Sequence, residues 1–199
     1  MLPGAVELRV DEVARQAKVS VPTLYSHFGS KGGLLAALTG EIEREAGLYA
    51  GFQRVWRCQD GEPALRAMLD TTLRFWQHAW TFIDFALRVR RTDPELGARI
   101  DAFDAGRTDD LVVICSRLRE EHRLRSGLTP QTAGRLAFGL STPYVYEALV
   151  RQSGLPSAPF RKMVVEAIVA AIVREGTPRV RAQPADWTRL GLRPGDHAS

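Results

Sequence analysis

Between Ser20 and Lys31 the chain reads Ser-Val-Pro-Thr-Leu-Tyr-Ser-His-Phe-Gly-Ser-Lys, which gathers hydroxyl, phenol, imidazole and ammonium groups into one short stretch. The chemistry on offer is hydrogen bonding from a surface. Position decides whether those groups act together. Ser20 can accept from the orphan N–H groups at a helix start, and Pro22 fits the first turn, where its missing donor costs nothing. In the helix that follows, Leu24 and Phe28 share an inward face, Thr23 and His27 form one outward row, and Val21 and Tyr25 form another. Upstream, Val10 to Lys18 carries a small apolar stripe of Val13, Ala14 and Ala17, and a break at Val19 separates it from the second helix. Two short helices and a tight connection make a helix-turn-helix pattern.

Pro22-Thr23-Leu24-Tyr25-Ser26-His27-Phe28, followed by a short turn and Lys31, closely resembles the DNA-binding motif of the tetracycline-repressor (TetR-type) family of transcriptional regulators. The resemblance implies that Val21 and Pro22 lie at the groove-facing end of a recognition helix, where apolar contact with thymine methyl groups is expected. It places Thr23, Tyr25, His27 and Lys31 at phosphate-contacting positions and leaves Ser26, one turn beyond Pro22, facing a base edge. It further implies a homodimer on a palindromic double-stranded DNA operator, with half-sites roughly 34 to 36 Å apart. A small-molecule effector held in the body would change the angle of the connecting helix, and repression would follow from occlusion of the DNA.

Two departures from the family pattern favour a different class, a dimeric small-molecule-binding or interaction protein with an impaired DNA-binding head. Only Met1 to Arg9 precede the motif, where the family usually has a helix of a dozen or more residues, so the first helix is expected to be missing and the head locally unstable. Arg9 stands just before Val10, where the family commonly has a capping threonine.

The formal charge of +4 and pI near 9.4 invite a nucleic-acid reading, but residues 1 to 50 hold five Lys or Arg against six Asp or Glu. The excess lies in the tail, at Arg179, Arg181, Arg189 and Arg193, so the motif carries the argument. Cys58 and Cys115 are unclustered, which fits a reducing cytoplasm and gives no metal or redox site. No 18-residue apolar stretch or basic leader appears, so a soluble, unexported, cytoplasmic chain is expected. No Gly-rich phosphate loop, GxSxG elbow or HExxH occurs. Asp109-Asp110 and Glu120-Glu121-His122 are read as solvated helix faces, because adjacent helical residues point in different directions. The expectation is no enzyme and no cofactor.

Almost every long segment reads at helical period, so the fold class is all-α. The expected division is a helix-turn-helix domain over residues 1–46, a ligand-binding and dimerisation domain over 47–176, and a disordered tail over 177–199. Ser30 caps a helix from Lys31 to about Gln53 that links head to body, weakened by Gly32, Gly33, Gly40 and Gly47 at roughly 1 kcal/mol each. Pro63 starts a helix whose Leu65, Met68, Leu69, Thr72, Leu73 and Trp76 share a core face. A shorter helix covers Trp80 to Arg91. Another runs from near Glu95 to about Arg125, with Ile100, Phe103, Leu111, Ile114 and Leu118 inward. Thr129-Pro130 starts a helix holding Leu136, Ala137 and Leu140, which Pro143 breaks or kinks.

From Ala158 the positions Phe160, Met163, Val164, Ala167, Ile168, Ala171 and Ile172 keep one helical face, while Val165, Val169 and Val173 fall on other sides. A helix apolar nearly all round must be buried on more than one face, which points to a second subunit packed on its outer side. The resemblance agrees, since in that family the last two long helices of each protomer form a four-helix bundle. Trp76, Trp80, Phe103 and Tyr144 are the candidate lining of an effector pocket that favours apolar or aromatic compounds; the competing reading is that these aromatics only fill the core.

Overall fold

The computed structural model describes residues 9–176, and the regular elements within them are helical, apart from an isolated antiparallel bridge between Leu124 and Val173. The expected missing first helix and the expected tail lie outside the described residues.

The head begins with α1 (Val10–Ala17) and α2 (Val21–Phe28). Lys18 closes α1 in the left-handed region (φ 56), its N–H turned back to the Ala14 and Arg15 carbonyls, and Ser20 Oγ accepts from Thr23 N at 3.2 Å to open α2. Val10, Ala14 and Leu24 form the buried centre, with Val13, Val21, Phe28 and Leu34 packed on it. Two expectations are corrected here: Ala17 is exposed, and Val21 turns toward this cluster instead of sharing an outward row with Tyr25.

Helix α3 (Lys31–Glu45) starts where expected, with Ser30 Oγ accepting from Gly33 N at 3.0 Å. It does not continue to Gln53. Gly47 adopts φ +65, a conformation that side chains disfavour, and the chain restarts as α4 (Leu48–Arg57). α4 then lies tightly on α5 (Gly61–His78), since a Cβ on Gly51 would stand 2.3 Å from Thr71 Cγ2.

α5 opens at Gly61, just before the expected Pro63, because a buried carboxylate caps it. Both oxygens of Glu121 accept from Gly61 N–H, at 2.9 and 3.1 Å, and Arg117 Nε donates to Oε1 at 2.7 Å. Burial, opposed by that N–H and by Arg117, leaves the Glu121 carboxyl above the ordinary carboxylate range. The reading of Glu121 and Asp110 as solvated is therefore corrected, for both are buried. Leu65, Met68, Leu69, Thr72, Leu73 and Trp76 all point into the core, as their spacing requires.

α6 (Trp80–Val89) leads to α7 (Pro94–Glu120), which stops short of Arg125 because His122 turns the chain at φ 55 and Leu124 bridges to Val173. α8 (Pro130–Leu140) approaches α7 through small residues: Ala133, Gly134 and Ala137 are buried, and a Cβ on Gly134 would meet Val112 Cγ2 at 2.6 Å. Leu136 and Leu140 are therefore left on the exposed side. α9 (Pro143–Tyr146), a π-helical turn (Glu147–Gln152) and α10 (Ser157–Ile172) complete the body.

The reading of α10 is also corrected. Val165, Val169 and Val173 are buried within their own protomer together with Phe160, Val164, Ile168 and Ile172. The row left outside is Met163, which is 54% exposed, with Ala167 and Ala170.

Candidate nucleic-acid interface and cavity

On α2 the structure leaves Pro22, Thr23, Tyr25, Ser26 and His27 exposed, and Tyr25 is 40% accessible although it is a large aromatic. Local bonds hold part of this face. The Thr23 hydroxyl lies 2.8 Å from Ser20 Oγ, Ser26 Oγ donates to the Thr23 carbonyl at 3.0 Å, and the His27 ring meets Phe28 edge-on at 4.8 Å. Val21 is half-buried in the head core, which limits what it can offer a groove. Lys31 is placed differently again: its Nζ lies 3.3 Å from Asp93 Oδ2, the residue that caps α7. On α1, Arg9 pairs with Asp11 at 2.9 Å and Arg15 with Glu12 at 2.8 Å, while Lys18 is exposed in the turn before α2.

The body holds a cavity of about 560 Å³ between α3, α5, α6, α7 and the segment from Phe138 to Tyr144. That volume suits a small organic molecule. Of the four aromatics proposed from the sequence, Trp76, Phe103 and Tyr144 border it. Trp80 is not among the lining residues: its ring packs 5.0 Å from Tyr146, which in turn packs on Phe160. Phe103 reaches the cavity while remaining partly open to solvent, not by pointing into the core. Trp76 combines both readings of the aromatic set. It is 3% exposed and packed, its Nε1 donates to the Ser141 carbonyl at 2.9 Å, and its ring still forms part of the wall.

The sequence reading missed a whole wall. Leu35, Ala36, Thr39, Gly40 and Glu43 of α3 face the cavity, and the signal for them was Ala36 and Gly40, two small residues four apart on one helix face. Gly40 enters the sequence reading only as weakening the helix. The polar part of the lining includes Arg90, whose Nη1 donates to Asp104 Oδ2 at 3.1 Å and whose Nη2 pairs with Asp101.

The two thiols are far from this chemistry. Cys115 is buried and its pKa is pushed up to about 12 by desolvation, and half-buried Cys58 donates to the Arg54 carbonyl. Among the described residues no three His, Cys, Asp or Glu side chains are grouped to hold a metal, and no helix is long and apolar enough to cross a membrane.

Set against known families, residues 4–38 match the sequence model described as bacterial regulatory proteins, tetR family. The matched span takes in α1, α2 and the first half of α3. No curated protein matches the chain.

Proposed function

We propose that the chain, whose residues 4–38 match the tetR-family model, is a DNA-binding transcriptional regulator of that family and acts as a dimeric repressor released from a palindromic operator by a small molecule. One observation carries this reading. Helix α3 follows α2 directly, and its Leu35, Ala36, Thr39, Gly40 and Glu43 form one wall of the cavity. A molecule filling that space touches the helix from which the head hangs. It can change DNA affinity only if it binds the operator-competent arrangement and the alternative unequally.

In this reading Pro22 and Ser26 approach base edges, and Thr23, Tyr25, His27 and Lys31 fix register on the phosphates. Exposed apolar side chains support the dimer. Leu136 and Leu140 on α8 and Met163, Ala167 and Ala170 on α10 are the outward residues of the last two helices of ordinary length, and a two-fold axis there would cover both rows.

The test is selection of bound duplexes from a random pool by the purified chain. The expected product is a two-fold symmetric site whose half-sites lie about one helical turn apart. Enrichment of asymmetric single sites would remove the dimeric arrangement. Retained small-molecule binding with no enriched sequence would favour the second reading, a binding protein with an impaired head; the absence of any side-chain cap at Arg9, where α1 begins, is the observation on its side.

A further inference from the structure

Arg107, on α7, is 4% exposed and its guanidinium is enclosed by residues that line the cavity. Its Cζ lies 4.5 Å from the Phe138 ring centre and 5.3 Å from that of Trp76. Nη1 donates to the Ser141 carbonyl at 3.1 Å, the same oxygen that receives Trp76 Nε1. Nε and Nη2 have no hydrogen-bond acceptor within the protein. Asp104 keeps Oδ1 at 4.0 Å from Nη2, beyond hydrogen-bond reach, and gives Oδ2 to Arg90. Desolvation lowers the Arg107 pKa to about 10, which still leaves it charged at neutral pH.

Unsatisfied buried donors are costly, and a cation keeps the cost high. An ordinary core position would hold a methionine or leucine between two aromatic rings. Phe138, Trp76 and Asp104 all face the cavity, so a single layer of side chains separates the guanidinium from its contents.

We propose that the effector is an apolar ring compound bearing an oxygen acceptor, a carbonyl or a carboxylate, whose ring packs on Trp76 and Phe138 and whose oxygen reaches Nε and Nη2 of Arg107 by displacing the side-chain layer that separates them from the cavity. This rests on the reading of the cavity as an effector site and narrows the class of compound it takes. The rings supply affinity for a flat apolar body, and the two donors discriminate against a hydrocarbon of the same shape.

Equilibrium dialysis of the full chain with 2-acetylnaphthalene, 2-naphthoate and 2-isopropylnaphthalene tests it, because the first and third are nearly isosteric and differ in the acceptor. The wild type should bind at least one of the two oxygen-bearing compounds about tenfold more tightly than the hydrocarbon, which corresponds to ~1.4 kcal/mol. Arg107→Met should erase that preference while still binding 2-isopropylnaphthalene, with a melting temperature equal to or above wild type. Arg107→Lys, which keeps the charge with different donor geometry, should retain part of the preference. Equal binding of all three by the wild type, or a preference that survives Arg107→Met, overturns the assignment but leaves the cavity as a binding site. Binding of none of them overturns both.

Discussion

The two carboxylate oxygens of Asp93 are divided between body and head: Oδ1 accepts from Leu96 N at 3.2 Å to cap α7, and Oδ2 lies 3.3 Å from Nζ of Lys31. Lys31 is the first residue of α3 and the residue whose motif position implies a phosphate contact. The side chains of the pair remain 28% and 22% exposed, so the interaction is worth about 0 to 1 kcal/mol and can be exchanged for a phosphate.

Asp93→Asn should keep the α7 cap and weaken the hold of the body on Lys31. Operator affinity should then rise about two- to fivefold, the equivalent of roughly 0.4 to 1 kcal/mol. Lys31→Ala should weaken binding to all duplexes alike and reduce the salt slope by about one. Fluorescence anisotropy at several salt concentrations measures both. A change in sequence preference with an unchanged salt slope would show that Lys31 reads bases.

Met163→Glu and Val169→Glu separate partner contact from core. Met163 faces out, so its replacement should yield folded monomers. Val169 is buried in its own protomer, so a carboxylate there should unfold the chain, costing several kcal/mol. Sedimentation and circular dichroism distinguish the outcomes; a Met163→Glu chain that sediments as a dimer would move the interface elsewhere.

The thiols should differ sharply in reactivity. At pH 8 Cys58 should react slowly with a disulfide reagent, whereas Cys115, with its pKa raised to about 12, should react only after denaturation. Counting released thiolate before and after adding denaturant checks this, and rapid native labelling of both would contradict the packing around Cys115.

Glu121→Ala should be among the most damaging single changes in the body. It removes the acceptor for Gly61 N–H and strips Arg117 of a partner at 2.7 Å, which costs about 3 to 5 kcal/mol for a buried pair. Urea melts measure it. A loss below about 1 kcal/mol would mean that the pair is solvated in solution.

The helical class, the helix-turn-helix and the core face of α5 were legible because periodicity and capping chemistry are local. What was not legible depended on which side of an apolar helix finds a neighbour. Leu136 is left exposed because Ala133, Gly134 and Ala137 bring α8 close on α7, whereas Val169 of α10 is buried within its own protomer. Trp76 and Trp80 look equivalent in sequence, yet only the first borders the cavity. Arg107 gave no signal in sequence, since nothing local indicates that an arginine is held between two rings.

The left-handed residue at Gly47 gives the molecule a fulcrum. With the helix interrupted there, α4 stays clamped on α5 and the lever is α3 alone, fifteen residues and so about 22 Å long. A tilt of only about 5° at that point would sweep the far end, where α2 is attached, through about 2 Å. Two such arms on the proposed dimer would add their displacements, so a ligand-sized adjustment at Ala36 and Gly40 would be geared up to a misfit along the whole operator.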